Sequence, residues 1–100
     1  MQFLEPWMAV PVAQRAALER QLAAEISAKD ELWGHRATAI ARRQDNDDVL
    51  YEIDGIGFVV VHLTWTKSAF HPRRTIYTSL RAFEPVMQQD HRDFTDTFEW

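Results

Sequence analysis

Ile56-Gly57-Phe58-Val59-Val60-Val61-His62-Leu63-Thr64-Trp65-Thr66 is the stretch on which the fold turns. Six of these eleven residues are β-branched and two are aromatic, a composition that suits a pleated, buried strand. Side chains alternate across a strand, so Val59, Val61, Leu63 and Trp65 share one face and Phe58, Val60, His62 and Thr64 the other. The first set is apolar throughout and is expected to face the core. The second begins apolar and turns polar at His62, which places it towards a wetter end. Two such faces predict a central strand of a sheet.

Working backwards from this stretch, Asp54-Gly55 predicts a tight hairpin turn, and Val49-Leu50-Tyr51-Glu52-Ile53 its partner strand. Asp45-Asn46-Asp47-Asp48 is a turn, and residues 36–44 make the strand before it. Gly34 closes an earlier turn in which positive φ is expected. Upstream, Leu18, Leu22 and Ile26 recur at helical spacing, with Val12 and alanines on the same side. Pro11 suits the first position of that helix, which is expected to run through Ser27. Residues 1–10 carry Phe3, Leu4, Trp7 and Met8, and predict an apolar arm packed on its own domain or on a second subunit.

Forwards from Thr66, a polar loop ending at Pro72 leads to a fourth strand, Arg73-Arg74-Thr75-Ile76-Tyr77, whose arginines suit a sheet edge. Thr78 or Ser79 can cap a second helix with Leu80, Phe83, Val86 and Met87 as its apolar stripe. Pro85 predicts a kink there or a start delayed to Glu84. Residues 90–100 are expected as a tail, resting on the domain through Phe94, Phe98 and Trp100. The whole is one α+β domain over residues 1–100, a two-layer sandwich in the order helix, four antiparallel strands, helix. Both helices are expected on the face of Val59, Val61, Leu63 and Trp65. The Phe58, Val60 and His62 face is then apolar for a surface, and calls for a partner, a second copy of the chain, or the arm.

The 100 residues have the apolar share of a globular domain, 46%, enough for a core without metal or crosslinks. With no cysteine, disulfides, thiolate zinc sites and cysteine nucleophiles are excluded. No run approaches the roughly 20 apolar residues of a membrane span, and Met1–Val12 lacks a basic n-region, which predicts a cytoplasmic protein with no membrane partner. The net charge of −4 argues against a nucleic-acid binder.

Candidate chemistry is sparse. His35, His62, His71 and His91 show no metal-ligand spacing, and the EF-hand pattern is incomplete around Asp45–Asp48, so no metal and no cofactor are expected. His62 stands out because it interrupts an apolar strand; a hydrogen bond to a neighbouring loop is its ordinary role. Arg42, Arg43, Arg73 and Arg74 would make an anion-binding cluster if their strands lay side by side. His62, Lys67, His71 and Arg73 would make an acid–base set at one end of the central strand. Trp65 and Trp33 are candidates for an aromatic binding surface, with Trp7 and Trp100 as further ones.

Val61-His62-Leu63-Thr64-Trp65, the run Pro72 to Ser79 and the segments Ala39–Arg43 and Asp48–Leu50 resemble a group of small bacterial proteins. The likeness covers roughly residues 10–88. It implies a bacterial cytosolic α+β domain and brings no active site with it. Small acidic domains of this architecture often serve as immunity or accessory proteins. The expectation is therefore a non-enzymatic protein-binding module, with a second copy as one such partner. The alternative is a small-ligand, phosphate or RNA site, binding or cleaving, built on His62 and the Arg73/Arg74 region.

Overall fold

A computed structural model describes residues 1–66 and 72–96 of the chain. Its elements run β1 (Trp7–Ala9), α1 (Val12–Glu25), β2 (Ala37–Arg43), β3 (Asp48–Ile53), β4 (Gly57–His62), β5 (Arg74–Tyr77) and α2 (Leu80–Asp96). The strands form one antiparallel sheet in the order β1-β2-β3-β4-β5. The class is α+β as expected, with five strands where four were expected. The additional strand comes from the N-terminal arm, where Trp7, Met8 and Ala9 pair with Arg43, Arg42 and Ala41. Three residues are too few to show a period of two, which is why the arm reads as irregular in sequence.

The two helices lie on opposite faces, so the molecule has three layers where two were expected. On one face Leu18, Leu22 and Ile26 pack over Val49, Tyr51, Ile53, Val59, Val61 and Leu63. On the other, Phe83 and Met87 from α2 pack over Leu50, with Phe58, Val60 and Tyr77 around them and Trp7 from the arm beside them. The second apolar face of β4 is thus covered from within the chain. Trp7 and Tyr77 meet Phe83 edge-on, with ring centroids 5.1 and 5.6 Å away, the orientation that the ring quadrupoles favour.

Three local features set this geometry. A bulge between Ala39 and Ala41 switches the facing of β2, so Ala39 joins the α1 core and Ala41 the α2 core. The β3–β4 turn holds three residues, because Ile53 pairs with Gly57. The expected two-residue Asp54-Gly55 turn would shift every partner by one. Gly57 itself has φ +132°, and a Cβ there would sit 2.6 Å from the Tyr77 carbonyl oxygen, so β5 can approach only a glycine.

Helix boundaries also depart from expectation. Pro11 is the N-cap of α1, one position earlier than expected; the helix stops at Glu25, and Val12 is solvent-exposed instead of joining the core stripe. Gly34 adopts the expected positive φ, +80°. The start of α2 is not delayed by Pro85: the Ser79 hydroxyl accepts the Ala82 N–H at 3.1 Å and fixes it. Pro85 lies inside the helix and is exposed, so the Arg81 carbonyl that loses its helical donor sits on the solvent side. Residues 90–96, expected as a tail, continue α2; Phe98 and Trp100 lie outside the described residues. No helix among the described residues is long and apolar enough to cross a membrane.

Candidate functional site

The structure separates the residues that the sequence groups together. Strand β2 is divided from β5 by β3 and β4, so Arg42 and Arg43 cannot join Arg73 and Arg74. Arg43 is committed on the α2 face, giving paired bonds to Asp45 at 2.8 Å, lying 3.4 Å from Asp90, and standing over the Trp7 ring. The Asp45 bond raises the Arg43 guanidinium pKa against the opposing effect of burial, and Arg43 in turn lowers that of Asp45. Trp7 Nε1 donates to Asp90 at 2.9 Å and so ties the arm to α2. Arg42 opposes Val49 and faces the α1 side. Arg74 is nearly buried and makes a bidentate pair with Asp30, which raises its pKa further.

Trp65 is no core residue. Strand β4 ends at His62, and Trp65 lies beyond it, half-exposed, with φ +60°. Backbone in this region is costly for a residue with a Cβ, and Glu25 holds it there. The fully buried Glu25 carboxylate accepts from Thr64 N–H and Oγ, both at 2.8 Å, from Trp65 N–H at 3.0 Å, and from Gln21 Nε2 at 2.7 Å. The indole N–H donates to Asp47 Oδ1 at 3.0 Å.

His62 has a specific partner on the adjacent strand, where a loop contact was expected. Its Nδ1 lies 2.8 Å from Asp48 Oδ1, directly opposite in the ladder. Arg73 follows across the next strand, its carbonyl accepting the His62 N–H at 2.9 Å. Lys67 and His71, the other members of the proposed acid–base set, lie outside the described residues. Among the described residues no group of three or more acidic or histidine side chains is placed to hold a metal.

A wider concave region lies elsewhere, on the α1 face. It is a cleft of about 520 Å³ between α1 and the segment leading into β2, walled by Leu22, Ala23, Ile26, Leu32 and Ala37 with Trp33 along one side. Glu19, His35 and Arg36 add polar atoms to its lining. Trp33 is half-exposed there. Turns hold this segment: Asp30 Oδ1 accepts the Leu32 N–H at 2.9 Å, and His35 Nδ1 contacts the Asp54 carbonyl at 2.8 Å. Glu19 Oε2 accepts the Ala39 N–H at 3.0 Å, bracing α1 against β2. At about 100° per residue, the α1 residues lining the cleft and those gripping Trp65 lie on different flanks. The two indoles therefore form no joint surface.

Sequence reasoning missed the partners that make these sites: Asp48 for His62, and Glu19, Ala23 and Arg36 around Trp33. Asp48 follows from the hairpin only once its turn is known to hold three residues, since the expected two-residue turn would put it opposite Val61. With Ile53 opposite Gly57, counting back along both strands puts Asp48 opposite His62. The cleft had no such signal, because its walls come from a helix and a turn that meet only in the fold.

Comparison with family models, with curated proteins and with solved structures finds no match to this chain.

Proposed function

We propose that the protein is a non-enzymatic binding module that receives an apolar segment of a protein partner in the Trp33 cleft. The observation that carries this is the cleft itself. Its volume falls in the range of sites that hold ligands, and its apolar walls with a few polar atoms match the usual make-up of such sites. A half-exposed tryptophan on its wall is the type of side chain that most often dominates binding energy. The apolar sheet face that first suggested a partner is filled by α2. The α1 side therefore takes over that role.

A polypeptide fits better than a small molecule because of the neighbouring strand edge. Strand β1 pairs β2 only from Ala41 to Arg43. The Arg36 carbonyl bonds to Asp54 on the β3 side, and the Ala39 N–H turns outward to Glu19. By alternation the N–H and C=O of Ala37 point outward too, beside the cleft that Ala37 lines. An extended segment could pair there while its side chain enters the cleft.

The test compares three baits in lysate of the host: the native protein, Ala23→Arg, which fills the cleft from an exposed helix position, and Arg20→Glu, on the solvent side of α1. The expected result is a partner retained by native protein and Arg20→Glu and lost by Ala23→Arg. With that partner purified, Trp33→Ala should cost about 2 kcal/mol or more of binding free energy. Identical captured sets from all three baits would end this reading.

A further inference from the structure

We infer that the row Asp48–His62–Arg73, on the sheet face opposite the Trp33 cleft, is a binding site for a tetrahedral oxyanion, a phosphate or a phosphomonoester. The inference is independent of the proposed partner cleft.

The row follows from register. Asp48 is the ladder partner of His62. Val61 pairs with Arg74, so His62 stands opposite Arg73, and the backbone bond between them closes that step. Residues directly opposite in an antiparallel ladder project to the same face. Three side chains, from β3, β4 and the residue just before β5, therefore stand side by side. The next row inward is Leu50, Val60 and Thr75. Val60 and Thr75 are short beside His62 and Arg73, and the step in height leaves a depression of about 110 Å³ lined by Asp48, Val60, His62, Arg73, Arg74 and Thr75. That is room for one small anion and little more.

The chemistry of the row selects the sign of the ligand. Asp48 lies on Nδ1 of His62, and a carboxylate only accepts, so Nδ1 carries the proton and Nε2 is left for another partner. When the imidazole is protonated, Nε2–H is a charged donor whose positive charge is balanced by Asp48. Arg73 is exposed, and its guanidinium has no hydrogen-bond or ion-pair partner among the described residues. With Asp48 neutralised by His62, it supplies the net positive charge. The Thr75 hydroxyl is a further donor on the floor. Arg74 contributes wall rather than charge, because its guanidinium is taken by Asp30 and by the Pro72 carbonyl. A planar fork beside a fixed imidazole donor is the pairing that suits phosphate oxygens.

The decisive experiment is an amide and side-chain NMR titration of the full chain at about pH 5.5, with the His62 ring signals reporting its protonation directly. Inorganic phosphate and O-phosphoserine are added in separate arms, with chloride at matched ionic strength as the control. Saturable shifts confined to Asp48, His62, Arg73 and Thr75, absent with chloride, are expected, and the tighter arm identifies the source of the phosphate group. Arg73→Ala, an exposed substitution that leaves the core intact, should weaken binding roughly 10-fold or more. Arg20→Ala, far from the row, should leave it unchanged. His62→Gln should also weaken it, with unchanged shifts elsewhere reporting an intact fold. Linear shifts that chloride reproduces, or saturable binding that Arg73→Ala leaves intact, would overturn the site.

Discussion

The two faces of one sheet are held by different means. On the α1 face, apolar packing is pinned by buried polar groups. Glu25 takes four donors, Asp30 pairs with Arg74, and the Tyr51 hydroxyl donates to the Leu18 carbonyl at 2.8 Å. On the α2 face the core is aromatic and aliphatic, Trp7 and Tyr77 against Phe83 with Leu50 and Met87, and its ion pairs sit at the margin. A buried carboxylate fixes where a loop lies because its donors must all be met. An aromatic cluster gives more area and less direction. The face with polar anchors keeps an open apolar cleft, since the segment walling that cleft is held by hydrogen bonds and does not depend on filling it.

The largest effects should come from breaking one anchor on each face. Asp30→Ala leaves Arg74 nearly buried without its bidentate partner, with only the exposed Glu31 carboxylate 3.8 Å away, and should cost about 3 kcal/mol. Phe83→Ala empties the centre of the aromatic cluster and should cost a similar amount, about 3–5 kcal/mol. The second substitution distinguishes the faces. Adding Arg74→Met to Asp30→Ala should recover part of the loss, because much of the cost is a nearly buried charge without its bidentate partner, while the Leu32 N–H stays without its acceptor. No charge substitution should rescue Phe83→Ala. Urea unfolding of the two single variants and the double variant decides this, and a double variant no more stable than Asp30→Ala would remove the distinction.

Glu25→Gln is a smaller and more local break. It keeps the volume but replaces an all-acceptor carboxylate with a group that has one acceptor oxygen, so part of the donor set around Thr64 and Trp65 is stranded. The expected cost is about 1–3 kcal/mol. Its signature is faster amide exchange at Thr64 and Trp65 and a changed Trp65 emission, with the Ala82 amide on the α2 face unaffected. Exchange that rises equally at Ala82 would mean that the carboxylate stabilises the fold as a whole and not its loop.

This contrast also explains what could be read from the sequence. Strand β4 was legible because Val59, Val61 and their neighbours carry a clean period of two, and the stripe of α2 was legible from Leu80, Phe83 and Met87. A stripe says that a helix buries a side; it does not say against which sheet face. Two apolar faces on β4 were the clue that the two helices would divide between them. The bulge in β2 left no trace because Ala39 and Ala41 fit either face equally well. Polar anchors were the least legible. Glu25 reads as a surface residue of an amphipathic helix, and Asp48 as one more turn aspartate, until the fold supplies Thr64 and His62. Trp33 was visible as an aromatic candidate, whereas the cleft beside it depends on how the segment after α1 folds back along the helix, which no residue pattern in that segment announces.

The mildest test of the contrast uses pH. Tyr51 is fully buried, and its phenol is pushed far above the ordinary value, first by burial and then by the charges of Glu25 and Glu19, with Arg42 opposing. The folded state therefore keeps its proton where the unfolded state loses it, from about pH 10 upward. The unfolded state then binds fewer protons than the native one, so stability falls as pH rises. The contribution is complete below the ordinary phenol value and is lost progressively above it, at about 1.4 kcal/mol per pH unit. Tyr77, also raised by burial, adds a loss of the same sign on the α2 face. Tyr51→Phe should cost about 1 kcal/mol at neutral pH through its lost hydrogen bond, and should flatten the decline between about pH 9 and 11. Urea midpoints of native protein and variant over that range give the difference directly, because the titration of every other group is common to both. If the two declines run parallel, the phenol ionises in the folded state as easily as in water. The α1 core around Tyr51 would then admit solvent, and the firmness assigned to that face would have to be given up.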